Sequence, residues 1–386
     1  MKRARNVALA AAVLGFAIMA VGVFVDPTRA LFAWLSAFAF AFTTAVGALF
    51  LVQVAHVSKA GWLVVIRRFP EAVSGTLPIL AVLFVPLLLG ARRLYPWAVP
   101  LEAMDDVTRH IVEEKRAYLN LPFFGVRAAA YFAVLVAVNE LLRRWSLAND
   151  ARPRIELTTR MRALSAASLP AMALVLTFAA FDWLMSLDPS WYSTMFGFYA
   201  FAGGAAGAVG LVAVLVARAR TEPALARQIT VEHTHALGRL LLALVIVWAY
   251  IAFSQFLVVW IADLPEEISF YATRVAGSWT PFTWVLVLGH FVVPFFVLLS
   301  RGLKRRPSAL AIAGGWLVLM HLADVYWLVM PAHDASGTRL HWLDLGALLA
   351  VCGSQAAVGL TRFARAAPIP TSGPELARGL EYEAAR

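Results

Sequence analysis

The sequence predicts an all-α, polytopic integral membrane protein with about ten transmembrane helices, on three observations. First, of 386 residues 61% are hydrophobic and 15% charged, against roughly 45–50% and 25% in an average soluble domain; mean hydropathy is +0.74. Second, the apolar residues gather in windows of about 20 with polar ends, the length a helix needs to cross about 30 Å of hydrocarbon. Third, the basic residues alternate between the two sides of those windows. A water-soluble globule and a disordered chain are excluded. The single cysteine, Cys352, excludes a disulfide framework and any Cys-ligated zinc or iron–sulfur centre built by this chain alone.

Taken in order, the spans lie near 7–25, 31–56, 76–90, 121–142, 165–186, 191–217, 240–262, 279–300, 309–330 and 343–360. The first follows Lys2, Arg3 and Arg5. It reads as a retained anchor rather than a signal peptide, because its apolar run is too long and no small-residue cleavage site precedes Asp26. The third is short and holds Pro78 and Pro86, so a kink is expected, with 61–74 lying along the membrane surface before it. Pro122 suits the first turn of the fourth. Leu187-Asp188-Pro189 makes a tight turn after the fifth. Outside the spans, 95–120 mixes charge signs and reads as an amphipathic surface helix. The tail 366–386, with Pro368, Pro370 and Pro374, reads as flexible. No internal repeat is evident.

Orientation follows from Lys and Arg. One side carries 24 of the 33 basic residues, in the amino terminus, the even-to-odd connections and the tail, Arg386 included. The other keeps nine, five of them in 92–116 among as many acidic residues. By the positive-inside rule both termini are cytoplasmic. The net charge of +10 is therefore topological, and nucleic acid loses its only support as a partner.

Ionisable side chains in hydrocarbon cost at least ~2.5–3.5 kcal/mol each on insertion scales, so those inside spans are functional candidates. Arg127, Glu140 and His56 lie within about two turns of a span end and can snorkel. Asp182 and Ser186 share a face at i and i+4. Ser254 and Gln255 sit in the middle of the seventh span. His290 stands about 18 Å from the outer end of the eighth span and His321 about 15 Å from that of the ninth, with Asp324 following His321 at i+3. The two histidines thus share a depth on consecutive antiparallel helices. They read as interhelical hydrogen-bonding residues, as a proton-conducting or quinone-adjacent cluster with Asp324 or Asp182 as relay, or as axial ligands of a haem. Asp263, Glu266 and Glu267 read as a solvated acidic loop, and most Trp and Tyr as interfacial belts.

Several strings resemble one family. They are FDWLMSLDPSWYSTMFGFYAFAGG at 181–204, WAYIAFSQ at 248–255, LPEE at 264–267, GHFVVPF at 289–295 and DVYWLVMP at 324–331. Together they resemble the ActF-type membrane subunit of bacterial alternative complex III, a quinol:cytochrome c (or other periplasmic acceptor) oxidoreductase. Its integral subunits are similar to the NrfD-like, polysulfide-reductase family. The resemblance implies two four-helix bundles with two flanking helices, residence in the bacterial inner membrane, and no activity of the chain alone. It implies as partners a second NrfD-like membrane subunit, a periplasmic iron–sulfur subunit and multihaem c-type cytochromes, which carry the clusters and haems. This chain then holds no metal and no covalent cofactor; quinone or quinol is the candidate ligand, although the related ActC-type subunit is the better candidate for the quinol site. On this expectation the working residues are Asp182, Gln255, His290, His321 and Asp324, forming a quinone-adjacent or proton-conducting cluster. One departure stands out. The family pattern H-x-H-D-L-G-K is here HTHALGR at 233–239, so Ala236 removes a carboxylate expected in proton uptake, for which Glu232 can substitute.

Two other functions fit the residues. A secondary transporter is favoured by ten spans and midplane polar groups, though no paired broken helices support it. A membrane scaffold that only docks partners needs no polar cluster.

Overall fold

A computed structural model describes residues 1–383, apart from the side chain of Glu266; Arg386 and Glu266's side chain, both invoked above, lie outside the described residues. Ten helical segments among these residues are long and apolar enough to cross a membrane: α1 (Lys2–Val25), α2 (Pro27–Val57), α3 (Arg68–Leu89), α4 (Leu121–Ala151), α5 (Ile155–Leu187), α6 (Phe196–Ala219), α7 (Val231–Ala262), α8 (Trp279–Leu299), α9 (Pro307–Ala332) and α10 (Trp342–Ala364). No strand occurs among the described residues. In lipid only a helix or a closed barrel satisfies every backbone group, and this composition takes the first course. With ten crossings both termini lie on one face, called here the termini face; the other is the far face.

Helices α2–α5 pack as one four-helix bundle and α6–α9 as a second, while α1 and α10 pair with each other and lean on α2. The expected pair of bundles with two flanking helices is thus the architecture found. α2 is the axis of the molecule and also touches α6 and α9 of the other bundle. Leu35, Phe38, Ala41, Phe42, Ala45 and Val46 along it are all nearly fully buried. Lipid tails are as apolar as leucine, so helices associate in a membrane through close backbone approach and packing. α6 supplies that approach. A Cβ at Gly204 would lie 2.6 Å from the Thr43 carbonyl oxygen of α2, and one at Gly210 would lie 2.6 Å from the Gly314 oxygen of α9.

Helix starts carry the caps their sequence offers. The Asp26 side chain accepts from Arg29 N at 2.9 Å ahead of α2, and Asn120 accepts from Phe123 N at 2.9 Å ahead of α4, each satisfying an otherwise orphaned donor.

Four expectations change. The segment 61–74 does not lie along the surface: Arg67, Arg68 and Glu71 are buried, and α3 starts at Arg68 as a series of short turns. The reason is a charge network, in which Arg67 and Arg68 both pair with Glu71 and Arg68 also reaches Asp150 of α4. In 95–120 only Asp106–Lys115 is an α-helix. The acidic stretch after α7 is a second far-face helix, Pro265–Arg274, rather than a loop. Finally, the tail is docked on the termini face. Thr371 N donates to Asp150 Oδ1 at 3.2 Å, Ser372 Oγ to Asn149 O at 2.7 Å, Glu375 pairs with Arg162, and His233 Nε2 lies 2.9 Å from Gly379 O.

Candidate functional site

In the first bundle, Asp182 of α5 is fully buried and accepts from Arg127 Nε at 2.8 Å, Arg127 Nη2 at 2.9 Å and Tyr131 Oη at 2.8 Å. Both donors come from α4. Arg127 therefore does not snorkel: its guanidinium gives Nη1 to Tyr118 O at 2.9 Å and lies 3.9 Å from the centre of the Tyr118 ring. Moving it to the interface would strand a buried carboxylate, which is strongly destabilising. Ser186, at i+4 from Asp182, donates to the Asp182 backbone carbonyl at 2.6 Å and not to the carboxylate.

Beside this ion pair a cleft of about 430 Å³ opens at the far face, lined among others by Tyr118, Leu119, Phe181, Met185, Ser186 and Trp191. The Tyr118 hydroxyl and Trp191 Nε1 are buried without a hydrogen-bond partner among the described residues. Burial and the nearby Asp182 carboxylate hold the Tyr118 hydroxyl above its ordinary pKa, so it remains a donor.

The second bundle is arranged differently. Asp324 of α9, 1% exposed, accepts from the Tyr199 hydroxyl of α6 and from Trp248 Nε1 of α7 at 3.1 Å. No cation pairs with it among the described residues. The His290 ring stacks on the other side of this contact, 3.9 Å from Trp248 at 22°. His290 sits in a π-helical turn of α8, Val287–Val292. Pro294 has no N–H to return to the His290 carbonyl, and such turns recur at functional sites. His321 Nε2 lies 2.9 Å from Thr43 Oγ1 of α2. That hydroxyl gives its hydrogen to Ala39 O at 2.7 Å, so the ring nitrogen is the donor. Room for both side chains comes from α6. A Cβ at Gly203 would lie 3.0 Å from His321 Nδ1 and 3.2 Å from Asp324 Oδ2, and one at Gly207 would lie 2.8 Å from His321 Cδ2.

The five predicted residues therefore do not form one cluster. His290 and Asp324 meet at Trp248, and His321 lies beside Asp324 at Gly203. Asp182 belongs to the other bundle and shares no hydrogen-bond partner with them. Gln255 forms a third group, accepting from Ser193 Oγ at 3.2 Å and donating to Tyr271 Oη at 3.1 Å.

Sequence reasoning set Arg127 aside as a snorkelling residue and passed over Tyr131, Tyr199, Trp248 and Arg274. The last is buried and gives its donors to the carbonyls of Phe270 (2.8 Å), Trp327 (3.2 Å) and Leu328 (2.8 Å). The Trp327 carbonyl is free to accept because Pro331, four residues on, has no N–H. Burial pulls this guanidinium down to about 9.

A signal for one of these residues, Tyr131, was present. In each bundle's third helix a Pro-Phe pair, Pro122-Phe123 or Pro281-Phe282, stands nine residues before Tyr131-Phe132 or His290-Phe291. In each fourth helix an aspartate, Asp182 or Asp324, stands seven residues before Pro189 or Pro331. Tyr131 and His290 thus hold matching positions, as do the two aspartates.

Haem ligation does not fit. His290 is stacked on an indole, His321 Nε2 is committed to Thr43, and Gly203 and Gly207 press against the His321 ring, so no space for a porphyrin separates the imidazoles. The far-face cleft is mainly apolar, about 430 Å³ in volume and within the range of small-ligand pockets. A scan against models of known protein families finds none that matches the chain, and a search of curated proteins finds no match to it either.

Proposed function

We propose that this chain is a membrane subunit of a respiratory quinol:periplasmic-acceptor oxidoreductase of the alternative complex III type, and that its second bundle carries protons. The supporting observation is the Asp324 set. A buried carboxylate gripped, among the described residues, by Tyr199 and Trp248 alone can exchange a proton with a neighbouring hydroxyl or imidazole without breaking an ion pair. Asp182 cannot, because Arg127 holds both its oxygens. The first bundle would instead present the far-face cleft. A quinol bound there supplies two electrons and two protons. Phe181 and Met185 would sandwich its ring, and the free Tyr118 hydroxyl and Trp191 Nε1 would orient its oxygens. On this reading the termini face is cytoplasmic by its basic residues, the membrane is a bacterial inner membrane, and the far face meets an iron–sulfur subunit and multihaem c-type cytochromes, beside a second NrfD-like membrane subunit.

The test is made on the assembled complex. The wild-type chain should copurify with a multihaem cytochrome and an iron–sulfur subunit; isolation of the chain alone, active in solute uptake, overturns the reading in favour of a transporter. Asp324→Asn and His321→Gln should lower proton release per quinol oxidised while assembly and the haem spectrum stay intact. Unchanged turnover and proton release in both variants would leave only a scaffold.

A further inference from the structure

The termini face of the second bundle carries a charge imbalance that its own side chains do not settle. Lys304 ends a short helix, Arg301–Lys304, between α8 and α9. Its stem lies across Gly238 of α7, where a Cβ would come within 2.7 Å of Lys304 Cγ. The residue is 7% exposed, yet it makes no hydrogen bond or ion pair with any described residue through its ammonium group. His235, three positions before Gly238, is 5% exposed and has a partnerless Nδ1. Arg239 and Arg301 act electrostatically on His235 and are exposed, also with no side-chain partner among the described residues. Among the described residues the carboxylate acting on His235 is that of Glu232, which is held by Arg305 at 2.5 Å. Positions 236–238, Ala-Leu-Gly, offer no other. Burial and Arg239 push the Lys304 ammonium below its ordinary range.

In the first bundle Arg67 and Arg68 are matched by Glu71 and Asp150, Arg162 by Glu375 and Arg362 by Glu140, while the buried Arg143 gives its donor to the Arg362 carbonyl; Lys304 has neither kind of acceptor among the described residues. The Lys304 stem is buried while its ammonium keeps contact with solvent, and the neighbouring Arg239 guanidinium adds like charge that a bound anion would relieve. Lys304 lies five residues beyond the end of α8 and three before the start of α9, the level at which lipid phosphates sit. Basic pockets between membrane helices at that level take anionic headgroups.

We propose that Lys304, His235, Arg239 and Arg301 form a binding site for a phosphate anion, supplied by the headgroup of an anionic phospholipid. Lys304 and neutral His235 donate to the phosphate oxygens from the inside, and the two arginines close over it from solvent. The inference is independent of the redox reading, since it concerns residues that reading leaves unused.

The experiment titrates phosphatidylglycerol or cardiolipin into the full chain held in a zwitterionic detergent, with occupancy followed by native mass spectrometry. Phosphatidylcholine and inorganic phosphate serve as separate arms. Anionic lipid should bind specifically. Lys304→Gln should weaken it about fivefold, the worth of one basic residue at a lipid surface, and Arg239→Gln/Arg301→Gln about 25-fold if the two contributions add. Lys304→Arg should restore most of the loss. The arginine pair is exposed, so that variant keeps the test open should Lys304→Gln fail to fold. Displacement of the lipid by inorganic phosphate assigns the same residues to the free ion as source. Equal affinity for phosphatidylcholine, or unaltered anionic-lipid affinity in both the Lys304→Gln and the double-arginine variants, overturns the proposal.

Discussion

The two bundles bury an aspartate at the same place in their fourth helix, and the two aspartates keep opposite company. Asp182 is clamped by a bidentate arginine and a tyrosine; Asp324 is held by a tyrosine and an indole. The third helix makes the difference. Where α4 sets Arg127 and Tyr131, the matching stretch of α8 sets Leu286 and His290. Loss of the arginine in the second bundle turns a fixed ion pair into a carboxylate among neutral, proton-bearing neighbours. Matched positions in one architecture thus differ in kind: the first bundle pairs its aspartate with a cation, and the second leaves its aspartate among neutral donors, as the proposed proton role requires.

The largest effect should come from breaking the fixed pair. Arg127→Met leaves the Asp182 carboxylate buried with only Tyr131, and should cost about 3–5 kcal/mol. Resistance to unfolding by a strong detergent measures it. Asp182→Asn added to that variant should recover most of the loss, because the uncompensated charge is gone; no recovery would mean that Arg127 stabilises through its contact with Tyr118 and not through the pair. Next in size is Gly207→Ala, whose methyl would lie 2.8 Å from His321 Cδ2. Overpacking of this kind typically costs about 1–3 kcal/mol. It should also pull His321 from Thr43, seen as a change in the imidazole nitrogen shift by NMR. In the first bundle no glycine among the described residues has its Cβ position against Asp182, Arg127 or Tyr131, so this way of breaking the site belongs to the second bundle alone.

The ten spans were legible because apolar length is a property of one helix at a time. The two bundles were expected only through family resemblance, since hydropathy does not say which helices are neighbours. For the same reason Asp182 was grouped with Asp324. Both lie near the far face, and nothing in the local sequence assigns one to α4 and the other to α6 and α7. Arg67, Arg68 and Glu71 were lost from the third span because a hydropathy window rejects charges. Their partners Ser146 and Asp150 lie 75 or more residues away in sequence. The docked tail was missed because its prolines suit a flexible chain equally well, and its anchors, Asn149, Asp150 and Gly61, are local to other helices. What the sequence did hold, unread, was the Pro-Phe spacing to Tyr131 and His290 and the Asp-to-Pro spacing in α5 and α9.

The smallest effect asks whether the neutral donors of the second bundle are interchangeable with those of the first. Tyr131→Phe removes one of three bonds to Asp182 and leaves the arginine in place, so stability should fall by about 1 kcal/mol and nothing else should change. Tyr199→Phe removes one of only two donors to Asp324 and should cost a similar amount, about 1 kcal/mol. Its distinguishing effect lies elsewhere. With Trp248 alone left on the carboxylate, any proton passing between Asp324 and the α6 side of the site loses its hydroxyl. In the assembled complex Tyr199→Phe should therefore slow proton release at near-normal stability, whereas Tyr131→Phe should not. Equal proton release in the two variants would mean that the second bundle, like the first, merely holds its charge in place, and that the missing arginine in α8 changed the chemistry of Asp324 without giving it work to do.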